Sequence, residues 1–210
     1  MKLYGYWRSS SSHRVRIALH LKGVPFEYAA VNLLEDRQFE AEHRARSPMN
    51  KVPVLELDDG RHIVESLAII EYIDETHPAP ALLPGEPFER ARVRMLSEMV
   101  NSGIQPFQNR SVGKYVKGIG GDEQAWTRHW IEKGLLALEA AAARSAGQFM
   151  VGNTVSLADV YLVPQIVAAR RYGIDTEPLA TLQRVEAACM ELPGFQLARP
   201  EVQPDAPRAP

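Results

Sequence analysis

The sequence predicts two domains, an α/β domain followed by an all-α domain. Strand and helix patterns alternate over the first 76 residues, as in a sheet that is covered by helices. Residues 77–87 contain four prolines in eleven residues, and proline ends helices and marks linkers. Beyond residue 88 every substantial segment has helical periodicity. We therefore place the first domain at residues 1–82 and the second at residues 88–210.

The first domain has the predicted order β-α-β-α-β-β-α. The four strands are predicted at residues 2–7, 26–33, 52–57 and 62–65, and the three helices at residues 13–22, 37–45 and 66–76. Asp58, Asp59 and Gly60 form a hairpin turn between the last two strands. The first helix has apolar residues at helical spacing, which predicts an amphipathic helix. Strands joined both by helices and by a hairpin predict a mixed four-stranded sheet.

The second domain is predicted to contain only helices. They are placed at residues 89–117 with a bend at Pro106, and at residues 123–144, 157–172 and 179–191. Ser156 and Asp159 precede an apolar helix at the spacing of a capping box, so we assign them a folding role and not a catalytic one. Residues 200–210 are rich in proline and are expected to be loosely ordered.

Composition excludes several function classes. The chain has 210 residues, with 24 basic and 26 acidic side chains and a net charge of −2, so a nucleic-acid partner has no support. No apolar run has the length of a membrane span or a signal peptide, and we expect a soluble cytoplasmic protein. Cys189 is the single cysteine, which excludes an intrachain disulfide and a redox pair. It is interpreted as a small buried residue, and the six scattered histidines predict no metal site.

Ser9 to Ser12 form a run of hydroxyl groups between the first strand and the first helix, directly after Arg8. Hydroxyl and amide donors at a helix N-terminus stabilise an anion. The alternative is that one serine merely caps the helix, since serine is a favoured N-cap residue.

Two more places suggest a peptide ligand. A cis bond between Val52 and Pro53 would turn the Val52 backbone outward, where it can bind an extended peptide; a trans proline that starts an edge strand is the alternative. Ser66 begins a predicted helix and can bind a carboxylate, while Glu65 can pair with an ammonium group. An α-amino acid head group carries both charges. The alternative for Ser66 is an ordinary helix cap.

These features together resemble the glutathione S-transferase superfamily, and specifically its zeta class. The zeta signature is Ser-Ser-Cys, a short spacer and Arg-Val-Arg-Ile-Ala-Leu, and this chain has Ser9-Ser-Ser-Ser-His-Arg-Val-Arg-Ile-Ala-Leu19. Ser11 stands where the signature has cysteine. The resemblance covers nearly the whole chain, through segments at residues 50–53, 65–72, 103–109, 157–165 and 203–205.

The resemblance implies the glutathione S-transferase fold, with a thioredoxin-like N-terminal domain, together with a homodimer and glutathione as cofactor. Ser9 matches the serine that donates a hydrogen bond to the glutathione sulfur, and Ser10 and Ser11 are its catalytic neighbours. The residues expected to hold glutathione are Ser9, Ser10, Ser11, His13, Arg14, Gln38, Val52, Pro53, Glu65, Ser66, Gln105, Asn109, Arg110 and Ser111. The residues expected to bind the carboxylates of a small dicarboxylate substrate are Arg8, Arg110 and Arg171.

The reaction that the resemblance implies is the cis–trans isomerisation of maleylacetoacetate to fumarylacetoacetate in tyrosine breakdown. The glutathione thiolate adds to the double bond, the bond rotates, and elimination returns glutathione. Glutathione transfer to electrophiles is expected as a side activity. Ser11 in place of cysteine argues against chemistry that needs a protein thiol, which this isomerisation does not.

Alternatives to this reaction stay open. Arg110 matches the maleylpyruvate isomerases of gentisate breakdown, whereas residues 104–109 and 48–53 are closer to the maleylacetoacetate enzymes. The remaining alternatives are a general glutathione transferase and a glutathione-binding protein without turnover.

Overall fold

The computed structural model describes residues 1–207, which form two compact units. The first contains Met1–Ala81 together with the segment that starts at Glu191, and the second contains Leu82–Met190. The sequence-based boundaries assigned all of residues 88–210 to the second domain. In the structure residues 191–207 instead group with the first unit, and residues 208–210 lie outside the described residues.

The first unit contains a mixed sheet, as predicted. Its strands are β1 (Lys2–Gly5), β2 (Glu27–Ala30), β3 (Val54–Glu56) and β4 (His62–Val64). Their order is β2-β1-β3-β4, with β1 parallel to β2 and the other two pairs antiparallel. The predicted order β-α-β-α-β-β-α is confirmed. The strands are shorter than the sequence pattern indicated.

Helices connect or follow these strands. In the described part of the chain they are α1 (Ser10–Leu21), α2 (Ala41–Arg46), α3 (Ser66–Thr76), α4 (Pro87–Asn101), α5 (Arg110–Gly118), α6 (Glu123–Ala142), α7 (Leu157–Arg171), α8 (Ala180–Met190) and α9 (Pro193–Ala198). The predicted limits of α3 are confirmed. The predicted bent helix at residues 89–117 is wrong, because it is two helices, α4 and α5, separated by turns. Helix α9 was not predicted from the sequence.

The strand register brings three chain segments to one edge of the sheet. Tyr4 pairs with Val54, and Val54 pairs with Val64. The end of β1, the start of β3 and the end of β4 therefore lie side by side. Consequently, residues that follow β1, precede β3 or follow β4 share this edge.

Helix α1 differs from its prediction in start and in burial. It begins at Ser10 and not at His13, and residues 12–19 are all buried. The prediction of an amphipathic helix is wrong, because α1 packs against α3 and also against α9. The close approach of α9 uses Gly194, where an added Cβ would lie 2.9 Å from Leu21 Cδ2 and 3.1 Å from Leu21 N.

Lys22, just after α1, fixes the start of the proline-rich segment. Its side chain is fully buried and donates to Asp74 at 2.5 Å, to the His77 carbonyl at 2.8 Å and to the Pro80 carbonyl. A buried ammonium group needs such partners, because removal from water is costly for a charge. Residues 77–80 are thus held in the first unit.

In the second unit, α7 is buried along most of its length. The capping box predicted at its start is confirmed: Asp159 accepts hydrogen bonds from the Ser156 amide and hydroxyl, each at 2.8 Å. It also accepts one from the Met150 amide at 2.8 Å. Cys189 is buried, and burial raises the pKa of its thiol. The interpretation of Cys189 as a small buried residue is confirmed.

Candidate active site

Ser9 occupies the N-cap position of α1. Its backbone is extended, with φ −71° and ψ 120°, and its Oγ accepts a hydrogen bond from the Ser12 amide at 3.2 Å. The capping role that was the alternative interpretation is therefore observed. A hydroxyl has one donor and two acceptor lone pairs, so capping uses a lone pair and leaves the O–H group able to donate. Capping and anion binding by Ser9 are compatible.

The surroundings of Ser9 favour an anion. Ser9, Ser10 and Ser11 are partly exposed, whereas Ser12 is buried. The first turn of α1 carries no acidic residue. The amide groups of a first helical turn have no acceptor within the helix, and they form the positive end of the helix dipole. An anionic group placed here meets N–H and O–H donors.

The peptide bond between Val52 and Pro53 is cis, which is the geometry that the peptide-binding hypothesis required. The preceding residues are anchored by side chains. The Lys51 amide donates to Ser47 Oγ at 3.2 Å, and the Lys51 carbonyl lies 3.0 Å from His43 Nε2. Because β3 begins at Val54, these residues lie at the sheet edge that the end of β1 also reaches.

Glu65 and Ser66 join the same edge, since they follow β4. Glu65 has φ 67° and ψ 121°, a region that residues other than glycine rarely adopt and that is frequent at functional sites. Ser66 is buried and is the first residue of α3, while Glu65 holds the N-cap position. The alternative of Ser66 as an ordinary N-cap is therefore wrong. Its position instead leaves it among the donors of the first turn.

Two amide side chains close in sequence to the Val52-Pro53 segment, the buried Gln38 and the half-buried Asn50, have a buried oxygen without a hydrogen-bond donor in the described part of the chain. Gln38 lies in a short 3-10 turn, Arg37–Phe39, and Asn50 has φ 55°. Within residues 1–207, Gln38 Oε1 and Asn50 Oδ1 are buried and have no hydrogen-bond partner. Buried acceptors normally find donors, so a ligand with N–H groups would suit them. Asn50 was not among the predicted site residues, although its place before Lys51-Val52-Pro53 was a signal.

His13 and Arg14 are placed differently from the three serines. Both side chains are buried, whereas Ser9 to Ser11 remain partly exposed. Burial, together with the charges of Arg16 and Arg14, lowers the pKa of His13 well below its ordinary value. His13 is thus neutral at physiological pH, and a role in ligand binding stays a prediction for His13 and Arg14.

The remaining predicted residues of the second unit gather mainly around the start of α5. Asn109 is the N-cap residue of α5, and Arg110 and Ser111 form its first turn. Gln105 accepts a hydrogen bond from Gln108 at 2.9 Å. The structure therefore brings these four predicted residues, Gln105, Asn109, Arg110 and Ser111, into one short segment.

Arg171 and Arg8 lie in separate units. Arg171 is the last residue of α7 and is exposed, with its guanidinium 5.3 Å from the ring centre of Tyr172. Arg8, in the first unit, is partly exposed, and its guanidinium lies 5.7 Å from the ring centre of Trp7. Their roles as carboxylate ligands stay predictions.

Among residues 1–207, no group of three or more His, Cys, Asp or Glu side chains is arranged to hold a metal ion. No helix in that part of the chain is both long and apolar enough to cross a membrane.

Comparison with known proteins shows similarity along the whole chain. A family model described as glutathione S-transferase, N-terminal domain, matches residues 3–81. The chain is 46% identical over 208 residues to the maleylacetoacetate isomerase of Mus musculus, covering 98% of this chain and 94% of the mouse protein.

Two solved structures are similar in fold and in sequence. The maleylacetoacetate isomerase of Anaeromyxobacter dehalogenans 2CP-1, with GSH bound in its active site, has a TM-score of 0.89 and 53% identity, covering 98% of this chain and 97% of that chain. A bacterial maleyl pyruvate isomerase of the zeta class has a TM-score of 0.94 and 43% identity, covering 99% of this chain and 100% of that chain.

Proposed function

Because the chain belongs to the zeta class of the glutathione S-transferase family, we propose that it is a glutathione-dependent cis–trans isomerase that converts maleylacetoacetate to fumarylacetoacetate. The observation that carries this proposal is the strand register, which places the end of β1, the start of β3 and the end of β4 side by side. The segments that lead to Ser9, contain Val52-Pro53 and begin at Glu65-Ser66 are attached to these three strand ends. These segments offer the groups that a thiol-bearing peptide needs.

The residues of the first unit fit glutathione by their chemistry. Ser9 and the first turn of α1 offer donors to a thiolate, and the Val52 backbone offers an N–H and a carbonyl to a peptide. Ser66 at the start of α3 suits a carboxylate, and the exposed Glu65 suits an ammonium group. The buried acceptors of Gln38 and Asn50 suit N–H donors. In the second unit, the residues that we propose to bind glutathione are Gln105, Asn109, Arg110 and Ser111.

Glutathione supplies the chemistry, a sulfur nucleophile that can add to an alkene and leave again. The protein's own task is to keep that sulfur anionic, because a free thiol has a pKa of about 8.5 and is mostly protonated at pH 7. A hydrogen bond from Ser9 favours the charged form, as does the helix N-terminus. Ser9 thus acts as a donor and not as a base. We propose that Arg8 and Arg171 bind substrate carboxylates, which guanidinium groups recognise well.

The proposed function is tested by measuring whether turnover depends on glutathione. We expect purified protein to isomerise maleylacetoacetate with added glutathione and to be inactive without it. S-methylglutathione, which retains the peptide but has no thiol, should inhibit by competing with glutathione. Equal turnover in buffer without glutathione would refute the proposed function.

Maleylpyruvate is the second candidate substrate. The observation that favours it is Arg110, a cation at the first position of α5, where the maleylacetoacetate enzymes have an apolar residue. The two substrates differ in the group beyond the ketone. The ratio of kcat/KM for maleylacetoacetate to that for maleylpyruvate decides between them, and we expect it to exceed one. In an Arg110→Leu variant the ratio should rise by roughly tenfold if Arg110 contacts the pyruvate carboxylate, the loss typical of a charged hydrogen bond.

Further proposals rest on family membership. We propose that the protein is cytoplasmic, forms a homodimer, and serves tyrosine breakdown, with a side activity as a glutathione transferase. Light scattering measures the molar mass in solution and so tests the homodimer. Cell fractionation tests the cytoplasmic location. Loss of growth on tyrosine in a deletion strain would support the pathway.

A further inference from the structure

The backbone of Trp7, two residues before Ser9, forms hydrogen bonds with two side chains, one from α1 and one from the C-terminal segment of the first unit. The Trp7 amide donates to Asp205 Oδ2 at 2.9 Å, and the Trp7 carbonyl accepts from Arg16 Nη2 at 3.0 Å. Both contacts lie within the first unit. These two hydrogen bonds fix the segment that leads directly into the N-cap of α1.

Arg16 connects this segment to the C-terminal part of the unit. Its side chain is fully buried, and its Nε donates to the Ala198 carbonyl, at the end of α9, at 3.1 Å. Its Nη1 lies 3.5 Å from the Tyr6 carbonyl, which also accepts from the Ser9 amide at 2.9 Å. Burial lowers the pKa of Arg16 to about 10, so it remains a cation at neutral pH. Its planar guanidinium group thus donates to three backbone carbonyls, those of Ala198, Tyr6 and Trp7.

Asp205 completes the arrangement from the opposite direction. Besides the Trp7 amide, its Oδ2 accepts from the Tyr28 hydroxyl at 3.3 Å. Burial raises the pKa of Tyr28, which keeps this hydroxyl protonated and able to donate. Residues 200–207 were expected to be loosely ordered. That expectation is wrong, because Pro200–Val202 form a 3-10 turn and Asp205 is bound to the N-terminal segment.

We propose that Asp205, acting with Arg16 through the backbone of Trp7, is a positioning residue for the Ser9 hydroxyl. This inference rests on the proposed function, in which Ser9 donates to the glutathione sulfur. A donor stabilises an anion only at hydrogen-bond distance and angle, and displacement by about 1 Å can cost two orders of magnitude in rate. Residues 6–9 have little freedom to shift, because two hydrogen bonds hold the Trp7 backbone and the Ser9 amide donates to the Tyr6 carbonyl.

The test compares two substitutions of Asp205 with a matched control. Asp205→Ala removes the acceptor of the Trp7 amide, whereas Asp205→Asn keeps an oxygen acceptor and removes the charge. Glu201→Ala removes an exposed carboxylate from the same segment, one that also acts electrostatically on Arg16. We expect Asp205→Ala to lower kcat roughly tenfold and to raise the pKa of bound glutathione, measured from thiolate absorbance. Asp205→Asn should recover most of both losses, and Glu201→Ala should change neither.

A second measurement needs no glutathione. Amide hydrogen exchange of Trp7 and Ser9 should be at least about tenfold faster in Asp205→Ala than in wild type, with the exchange of residues 15–19 unchanged. Unchanged exchange at Trp7 and Ser9 would overturn the holding role of Asp205. Faster exchange with an unchanged thiolate pKa and kcat would overturn the positioning of Ser9. A wild-type protein without glutathione-dependent turnover would instead overturn the proposed function and, with it, the catalytic part of this inference.

Discussion

The hydroxyl group of Ser9 has an observed structural role and a proposed chemical one. As N-cap it accepts from the Ser12 amide, and its proton remains available for a thiolate. Sequence patterns alone left these two roles as alternatives, because serine is common at helix caps. The observed cap is compatible with the proposed donor role, because it uses an acceptor lone pair and not the proton. Substitution of Ser9 should therefore affect stability and catalysis, and the choice of the new residue separates the two.

We predict that Ser9→Gly retains stability and loses activity. Glycine is tolerated at N-caps, with a loss of only a few tenths of a kcal/mol, but it has no hydroxyl to donate. Removal of a preorganised donor to a developing or resting anion typically lowers kcat about 10²- to 10³-fold, and we expect a loss at the lower end. Ser9→Thr keeps both the cap and the donor.

The measurements are thermal unfolding, kcat, and the pKa of bound glutathione from thiolate absorbance. Ser9→Thr should retain most of the wild-type kcat, because it keeps the donor, and in Ser9→Gly the pKa of the glutathione thiol should be raised. Wild-type kcat in Ser9→Gly would show that the hydroxyl does not act on the sulfur.

At the scale of a single element, the start of α7 depends on a buried carboxylate. Asp159 accepts three hydrogen bonds from Ser156 and Met150, which favour the charged form. Burial opposes them more strongly, and it raises the pKa of Asp159 to about 6 from an ordinary value of 3.8. The folded state therefore binds a proton at Asp159 more tightly than the unfolded state does.

This shift predicts a pH-dependent stability. The contribution of Asp159 is complete below about pH 3.8 and is lost as the pH rises through about 6, because the unfolded state then binds fewer protons than the folded state. Relative to an Asp159→Asn variant, the free energy of unfolding of the wild type should fall by on the order of 2–3 kcal/mol over this range.

Urea denaturation of both proteins at several pH values measures this difference. Ser156→Ala serves as the matched variant, since it removes one hydrogen bond that favours the charged carboxylate. The pKa of Asp159 should then rise further, and the fall in the free energy of unfolding should occur at higher pH. A difference between wild type and Asp159→Asn that stays constant from pH 4 to 7 would contradict the assigned shift.

The limits of the helices show which local sequence signals were sufficient to predict where a helix begins and ends. The limits of α3 were predicted correctly, because an apolar stripe and a clear break at His77-Pro78 define them. The start of α1 was placed three residues late, since Ser10 to Ser12 have low helix propensity. Sequence alone did not decide which of the four serines is the N-cap, and the structure shows that it is Ser9. The turns between α4 and α5 were missed because the periodic pattern continues across them.

At the scale of the whole molecule, the chain returns at its C-terminal end to the unit in which it began. Helix α9 packs on α1, and Phe195 and Ala198 are fully buried. Arg16 bonds to the end of the same helix. The first unit is thus built from two segments separated by more than a hundred residues.

We predict that Gly194→Ala destabilises the protein through this contact. The new Cβ would lie 2.9–3.1 Å from atoms of Leu21, including its backbone nitrogen, which is closer than ordinary packing allows. Overpacking of this kind costs about 1–3 kcal/mol, more than the helix propensity gained from alanine at the first turn. Denaturant unfolding should show the loss.

Leu197→Ala is the control, because Leu197 lies on the same helix and is exposed. It should change stability by less than about 0.5 kcal/mol. Equal stability of Gly194→Ala and wild type would show that α9 does not pack closely on α1 in solution.

The sequence by itself determined the order of the elements, the mixed sheet and the family. It also singled out the serines, the Val-Pro pair and the Glu-Ser pair, which lie next to strand ends at one edge of the sheet. These depend on local periodicity, turn chemistry and short motifs, which lie in adjacent residues. Only the tertiary structure decided that residues 191–207 join the first unit, that both arginines of α1 are buried, and that Asp205 binds Trp7. Such contacts join residues nearly two hundred positions apart, and their free energy comes from burial and hydrogen bonding that exist only once the chain has folded.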